Sequence, residues 1–298
     1  MDSSKSLLEL PSKKTGVPAC TLCCQEKEVS VMDAALRLYH CAFCDHAFTV
    51  KSKQELEVYE EKYYLEKHTN WFANPNYPYF KRIHRGILKF KKDARNLLDV
   101  GYGNGDFLKY LAEQNERSPA GGRGPALSGI DSLKIEHAKV RFIQGDFFSY
   151  LFRERFDVIT SFMVIEHVED PRGFVKKLFD CLEPGGILFI STNNNGGMLY
   201  TLARFLKRAG LRTAYDRVYS DHHLQHFTNR SLRLLIEKSG FKIEGFQNHN
   251  YLLKAVDTPP AHFFVKKLYL LAVCAIFALS DLRGNGFLQT FICRKPVA

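Results

Sequence analysis

The run Leu97-Leu98-Asp99-Val100-Gly101-Tyr102-Gly103-Asn104-Gly105-Asp106-Phe107-Leu108 reads as an apolar strand that ends in an acid and three alternating glycines before entering a helix. Glycine at Gly101, Gly103 and Gly105 permits backbone dihedrals closed to other residues and lets a ligand approach main-chain N–H groups without a Cβ in the way. Dinucleotide-binding turns space their glycines as Gly-x-Gly-x-x-Gly. Here the third glycine of that pattern would fall at Asp106, and an acid in the first helical turn repels a pyrophosphate. The loop suits a phosphate-free, cationic ligand; taken alone, it is equally a tight connection.

A second chemical cluster lies upstream. Cys20-x-x-Cys23 and Cys41-x-x-Cys44 have the spacing of four thiolates around one tetrahedral zinc, with Cys24 and His40 as possible substitutes. Two pairs of ordinary buried cysteines and an iron–sulfur cluster are the alternatives. A closed four-sulfur site has no open coordination position, so such a zinc holds a module together rather than catalysing. Cys181, Cys274 and Cys293 stand in apolar contexts and read as buried thiols.

The elements that position these residues follow a β/α rhythm. After the glycine loop come a strand at 127–130 with Asp131 at its carboxyl end, and a strand at 140–144 that delivers Gly145-Asp146-Phe147. A carboxylate at Asp131 can accept both hydroxyls of a ribose, and an acid beside an aromatic, Asp146 and Phe147, suits an adenine amino group and ring. A strand at 156–160 leads into Ser161-Phe162-Met163-Val164-Ile165-Glu166-His167-Val168-Glu169-Asp170-Pro171. A helix at 173–182, a turn at 183–186 and a strand at 187–191 follow. The alternation implies a mainly parallel sheet with helices on both faces, and ligands in such sheets bind at the carboxyl ends of the strands.

With those motifs in order, residues 97–192 resemble the class I S-adenosylmethionine-dependent methyltransferases. The resemblance implies an α/β, Rossmann-like fold with a seven-stranded, mostly parallel sheet. It also implies that Gly101, Gly103 and Gly105 hold the methionine part of S-adenosylmethionine, Asp131 the ribose and Asp146 with Phe147 the adenine, with Asp99, Tyr102 and Phe162 completing the cofactor set. Further on, His223-Leu224-Gln225-His226-Phe227-Thr228, Ser231-Leu232 to Ile236 and Gly240-Phe241 resemble a subgroup acting on sugars, lipid intermediates and natural products. In many members a cysteine ribbon and a Tyr-rich bridge, here Tyr59-Glu60-Glu61-Lys62-Tyr63-Tyr64, precede the catalytic domain. The expected organisation is a zinc ribbon at 1–52, a helical bridge covering the cofactor at 53–95, and a methyltransferase domain at 96–298 with helical insertions at about 193–221 and 250–283. The chain departs from the pattern in three places. Residues 118–125 are rich in Gly and Pro and read as a mobile surface loop; the segment between Asp131 and Asp146 is short enough to reduce its helix to a stub; and Tyr102 replaces a small residue and would narrow the cofactor entrance.

Methyl transfer to a hydroxyl or carbon of a small acceptor, a glycan, lipid-linked or other biosynthetic intermediate, is the activity these motifs imply. It needs a base above the strand ends. His167, beside Glu166, and His223 are the best-placed candidates, with His222 and His226 behind them; a histidine at any of these positions can equally be structural. In ubiquinone-pathway O-methyltransferases, which the Glu166 loop resembles, a Glu-x-x-Glu-His cluster binds a divalent metal; here Met163 occupies the first position, leaving Glu166 and His167. The Asn/Asp-Pro-Pro-aromatic motif of nucleic-acid amino-methyltransferases is absent. An RNA methyltransferase with a zinc-ribbon RNA-binding module, and a cofactor-binding protein without turnover, are the competing readings.

The chain has 298 residues, 45% hydrophobic and 25% charged, which suits one catalytic domain with a small module. Its formal charge of +10 suits nucleic acid or an anionic membrane surface. Arg204, Lys207, Arg208, Arg212 and Arg217, interleaved with apolar residues, read as an amphipathic basic helix able to lie on a bilayer. The apolar run 268–279 is shorter than the roughly 20 residues of a membrane span. Lids over a substrate cleft and peripheral membrane contact are both open readings of these segments. No apolar leader precedes the cysteines, and cysteine usage suits a reducing cytoplasm, so a cytoplasmic protein is expected, placed at the inner face of a membrane if the basic helix docks there.

Overall fold

The structure, a computed structural model, describes residues 17–51, 70, 73–117, 124–219, 223–258 and 262–297. The Tyr-rich bridge at 59–64, most of the loop at 118–125, and His222 lie outside the described residues. Three short strands, β1 (Val29–Asp33), β2 (Leu38–Cys41) and β3 (His46–Thr49), form an antiparallel meander, with Cys20 and Cys23 at the turn that precedes β1 and Cys41 and Cys44 at the β2–β3 turn.

Helix α1 (Tyr77–Phe90) follows, its first turn capped where the Asn76 side chain accepts from the Tyr79 N–H. Then come β4 (Asn96–Val100), α2 (Asp106–Glu116), β5 (Ala126–Asp131), β6 (Arg141–Gln144), β7 (Phe156–Phe162), α3 (Pro171–Cys181), β8 (Leu182–Asn193), α4 (Met198–Arg208) and α5 (Thr213–Val218). The two-residue β9 (Gln225–His226), α6 (Asn229–Lys238), β10 (Lys242–His249), α7 (Phe263–Leu282) and β11 (Leu288–Arg294) complete the chain.

The expected seven-stranded sheet is present, in the order β10-β11-β8-β7-β4-β5-β6. Strands β6, β5, β4, β7 and β8 are parallel, and β11 runs antiparallel between β8 and β10. Alternation along the strands divides the core in two. Leu97, Val158, Ile187 and Phe189 face α1 and α2 through Tyr79, Ile83, Ile87, Phe107 and Leu108. Leu98, Ile159, Leu188, Ile190 and Phe291 face α3 and α6 through Phe174, Leu178, Leu232 and Leu235.

Several local expectations change. The turn at 183–186 is absorbed into β8 as a bulge: Leu182 pairs with Phe156 and Ile187 with Val158, while Gly185 N–H donates to Lys295 O and Gly186 O accepts from Lys295 N–H. Residues 132–140 make turns and no stub helix, because the Asp131 carboxylate accepts from the Leu133 N–H and bends the chain back at once. The apolar run 268–279 is the middle of a 20-residue helix, α7, long and apolar enough to cross a membrane by length and composition; Lys266 and Lys267 in its first turns do not interrupt it. Cys293 is buried and Cys181 half-buried, but Cys274 is exposed on α7, which leaves most of that helix uncovered.

The cysteine module is built into the catalytic domain rather than beaded onto it. Strand β9 extends the meander as its fourth strand, with Ala47 opposite His226 and Phe48 opposite Gln225. Two cations of the basic segment also face the module. Lys207 Nζ is 2.5 Å and Arg212 NH2 is 2.9 Å from the Asp33 carboxylate, which is 3% exposed. Burial pushes the Asp33 carboxyl up, but hydrogen bonding and charge from Lys207, with the charge of Arg212, hold it below the usual range on balance. Replacing Asp33 by Asn is expected to lower the thermal midpoint by about 2–5 °C at pH 7. A carboxyl with a depressed native pKa contributes stability above its unfolded value and loses it as pH falls through the native one. The gap between wild type and variant should therefore close as pH falls below the ordinary carboxyl range, which melting curves across pH would show.

Candidate active site

A cavity opens at the carboxyl ends of β4 and β7, enclosing about 1060 Å³ of space continuous with solvent. Asp99, Gly101, Tyr102, Gly103, Asn104 and Asp106 wall one side; Tyr79, Phe80, Phe107, Phe162, Met163 and Val164 form its apolar part; Ser191, His249, Tyr251, Leu252 and Leu288 close the far end. The glycine loop bends sharply, with φ of 78°, 52° and 72° at Gly101, Gly103 and Gly105. A Cβ on Gly101 would come within 2.2 Å of Val164 Cγ2, and one on Gly105 within 2.5 Å of Ile135 Cδ1. The cradle accepts only glycine at these two positions, which brings the backbone against whatever fills the cavity.

The wall of this cradle is anionic. Asp99 is buried, its Oδ1 accepting from Thr160 Oγ1 at 2.7 Å, and burial, with a smaller push from the Asp131 charge, raises its pKa to about 7. Burial also raises Asp106. Two carboxyls, Asp99 in β4 and Asp106 in the first turn of α2, disfavour a phosphate and suit an ammonium or sulfonium.

Of the remaining predicted cofactor residues, Tyr102 and Phe162 line the cavity, while Asp131, Asp146 and Phe147 are not among its lining residues. Asp131 Oδ2 accepts from the Gly103 N–H at 2.8 Å and Oδ1 from the Leu133 N–H at 3.0 Å, so its carboxylate braces the glycine loop. Tyr102 is folded inward: its hydroxyl donates to Leu133 O and its ring packs edge-on against Phe142, so it shapes the wall and does not project across the entrance. Asp146 caps the following turn by accepting from the Phe148 and Ser149 N–H groups. Phe147 does not line the cavity; its ring is buried among Phe148, Phe152 and Phe174, because its neighbours in the turn orient it into the α3 core.

Glu166, His167 and His223 are brought together, with their ligand atoms within 4.8 Å of one another, as a sequence separation of more than 50 residues could not reveal. They do not line the cavity. On β8, Ser191 faces the cavity while the next side chain, Thr192, points to the opposite face and donates to Glu166 Oε2 at 2.7 Å. Glu166 is fully buried, its Oε1 has no hydrogen-bond partner, and burial raises its pKa to about 7. Asn193 Oδ1 is likewise buried without a partner, next to its amide nitrogen at 3.4 Å from His223 Nδ1. An orphaned carboxylate oxygen beside two imidazoles is a donor set for a divalent cation or for a shared proton. His226 is buried on Thr49 at 3.2 Å and held well below the usual histidine range by burial.

The polar group in the cavity that sequence reasoning missed is His249, at the end of β10. Its Nε2 lies 2.8 Å from Thr290 Oγ1, which is 3.2 Å from both Tyr79 Oη and Ser191 Oγ. Its ring stacks on Tyr79, and burial with the Arg82 charge lowers its pKa to about 3, so it is a neutral imidazole. Nothing in the local sequence Gln247-Asn248-His249-Asn250 signals this; the sheet order supplies it.

The four predicted cysteine ligands converge. Cys20 Sγ is 3.6 Å from Cys44 Sγ and Cys23 Sγ 3.6 Å from Cys41 Sγ, all four sulfurs lying within 4.8 Å of one another. Zinc–sulfur bonds of about 2.3 Å in a tetrahedron place sulfurs about 3.8 Å apart, so the set is compatible with a zinc ribbon. Cys24 and His40 are elsewhere: Cys24 is exposed beside the Arg172 guanidinium, and His40 pairs with Asp45 at 3.1 Å.

A family described as "Methyltransferase domain" matches residues 73–244, more than half of the chain. The chain belongs to this methyltransferase family. It is 27% identical over 203 residues to a ubiquinone biosynthesis O-methyltransferase of Rhodopseudomonas palustris, covering 57% of this chain and 78% of that one. A relative of the same name from Histophilus somni is 27% identical over 209 residues, covering 60% and 82%. Among solved structures, an S-adenosylmethionine-dependent methyltransferase of Archaeoglobus fulgidus superposes with a TM-score of 0.50 at 17% identity, over 78% of this chain and all of the other. The 1,6-didemethyltoxoflavin-N1-methyltransferase of Burkholderia thailandensis, solved with S-adenosylhomocysteine, gives 0.50 at 15% identity over 90% and 99%. The protein is an S-adenosylmethionine-dependent methyltransferase, and the anionic glycine cradle fits the ammonium and sulfonium of that cofactor.

Because burial raises the Asp99 pKa to about 7, a cationic ligand that pairs with its carboxylate binds fully above that pH and loses affinity as pH falls through it. Calorimetric titration with S-adenosylhomocysteine should show tighter binding at pH 8 than at pH 6, and Asp99→Asn should flatten the difference.

Proposed function

We propose that this methyltransferase acts on a hydroxyl of a small biosynthetic intermediate with a substantial apolar part, of the lipid-linked or glycan class. The cavity carries the reading: beyond the cradle it continues into a pocket walled by Phe162, Met163, Leu252 and Leu288, with one polar strip of Tyr79, Ser191 and His249 at its end. A narrow, largely apolar recess with few convergent polar groups suits one small acceptor with a single reacting function. The O-methyltransferase relatives support the choice of oxygen.

S-adenosylmethionine supplies an electrophilic methyl on its sulfonium; an acceptor oxygen bonds to that carbon as the carbon–sulfur bond breaks, and the hydroxyl proton must leave. Asp99 and Asp106 hold the cationic end of the cofactor, and the aromatic wall excludes water. The neutral His249 imidazole, in the cavity, accepts the hydroxyl hydrogen in this reading; held low by burial it is a weak base and passes the proton on to solvent. Glu166, His167 and His223 support the loop after β7 from the other face of β8. His249→Ala is expected to lower turnover on hydroxylated acceptors by about 10²-fold while leaving S-adenosylhomocysteine affinity within a factor of two. His167→Ala should cost less turnover. The reverse ranking would return the base to the Glu166 cluster, and tight cofactor binding without turnover on any acceptor would leave a binding protein.

We further infer that Cys20, Cys23, Cys41 and Cys44 hold one structural zinc, a reading supported by their mutual distances. Metal analysis of the purified chain should give one zinc, and Cys44→Ser should lose it together with the protection of β9 amides in hydrogen exchange, since β9 is a strand of that module.

A further inference from the structure

We propose that α7 (Phe263–Leu282) is an in-plane membrane anchor, lying in the headgroup region of an anionic bilayer without crossing it. The basic segment was one of two sequence candidates for such contact, but three of its five cations are used inside the protein. Arg204 donates to Asn195 O and lies 3.0 Å from the Tyr219 hydroxyl, and Lys207 and Arg212 hold Asp33.

Helix α7 has the opposite character. Only Val273, Phe277 and Ser280 are buried, against the segment that carries Tyr251 and Val256, while Phe263, Phe264, Leu268, Leu271, Leu279 and Leu282 are exposed. Phe264 is 68% and Leu282 85% exposed. At 100° per residue the exposed positions sweep about 200° of the helix circumference. A single packed partner helix covers a stripe of about 100°, so half of this arc would stay wet against a second copy of the chain. Hydrocarbon solvates the whole arc at once. No charged side chain occurs between Leu268 and Ser280. The charges stand at the ends: Lys266 and Lys267 beside Phe263, whose ring lies 4.4 Å from Lys267 Nζ, and at the other end Asp281, which accepts from the Asn250 amide, followed by Arg283. An apolar centre with two lysines in the first turns complements an anionic lipid surface, in a chain of net charge +10.

Topology excludes a crossing. The excursion that contains α7 leaves the sheet at His249 and returns at Leu288, and these two residues are paired across the β10–β11 ladder. Before the helix, Ala255 and Val256 are buried in the domain; after it, the Phe287 carbonyl accepts from the Asn194 N–H. Both ends of a helix about 30 Å long are thus tied to one side, which a span forbids and an in-plane helix satisfies. The same connection supplies Tyr251, Leu252 and Ala255 to the cavity wall, so docking along α7 sets the cavity beside the lipid surface. The anchor stands on the helix and is independent of the acceptor's identity.

The test is flotation of the full-length protein with vesicles of phosphatidylcholine, with and without phosphatidylglycerol, alongside S-adenosylhomocysteine titration and sedimentation of each variant. Wild type should float with the anionic vesicles. Leu268→Glu with Leu271→Glu should reduce the floated fraction at least tenfold with cofactor affinity unchanged, and Lys266→Glu with Lys267→Glu should remove the preference for phosphatidylglycerol. Wild type that stays unbound to both vesicle types, or a double Glu variant that floats equally well, overturns the proposal. So does a wild-type dimer that the Glu substitutions dissociate without any flotation, since a second copy then covers the face. Loss of cofactor binding in wild type would count against the methyltransferase reading and leave the flotation result to be judged by itself.

Discussion

The side chain of Gln225 joins three parts of the molecule that are distant in sequence. Its amide oxygen accepts from Thr21 Oγ1 and from His46 Nε2, both at 2.9 Å, and its amide nitrogen donates to Val168 O at 3.0 Å. Thr21 and His46 belong to the cysteine module and Val168 to the loop after β7, so one buried amide fixes the module, the two-residue strand β9 and the Glu166 loop in a single arrangement. Buried polar groups that are fully paired carry this kind of specificity, because any shift leaves a donor or acceptor without a partner. The adjacent backbone adds to it: Leu224 N–H donates to Glu166 O, and Thr228 Oγ1 donates to Asp45 O while capping α6.

From that arrangement follows the division of labour on the two faces of β8. Ser191 and Thr192 are neighbours in sequence and point to opposite sides, one into the cofactor cavity and the other to Glu166. The period of two in a strand thus separates the cavity, with its neutral His249, from the cluster of Glu166, His167 and His223. Both sides contain a carboxyl whose pKa burial raises to about 7, Asp99 and Glu166. Of the two, only Asp99 lines the cavity. The orphaned oxygen of Glu166 is a buried carboxylate atom without a hydrogen-bond partner on the other side.

The distribution of positive charge follows the same economy. Asp33, at the end of β1, draws Lys207 and Arg212 toward the module, and Arg204 fills its donors on Asn195 and Tyr219. A segment whose composition reads as a surface-seeking helix is therefore a clamp between two parts of one chain. The apolar helix α7, which by its uninterrupted run alone reads as too short to span a bilayer, carries the large uncovered face.

The chain's local chemistry was legible without coordinates. Three glycines at alternate positions, acids at successive strand ends and two Cys-x-x-Cys pairs are patterns of backbone freedom and ligand spacing, which act over a few residues and so survive in one dimension. The β/α rhythm and the seven-stranded sheet follow from periodicity and from the rule that helices cover a parallel sheet. The tertiary structure alone decided what distant segments do to one another. It turned Phe147 into the core, set Asp131 against the glycine loop as a brace, moved the predicted bases off the cavity wall and placed His249 in it. It also made residues 225–226 part of the cysteine sheet and turned three basic side chains inward. The face of a strand on which a side chain falls, and the identity of the strand beside it, depend on register and sheet order. Those are settled by burial and hydrogen bonding summed over the whole chain, and no short window of sequence contains them.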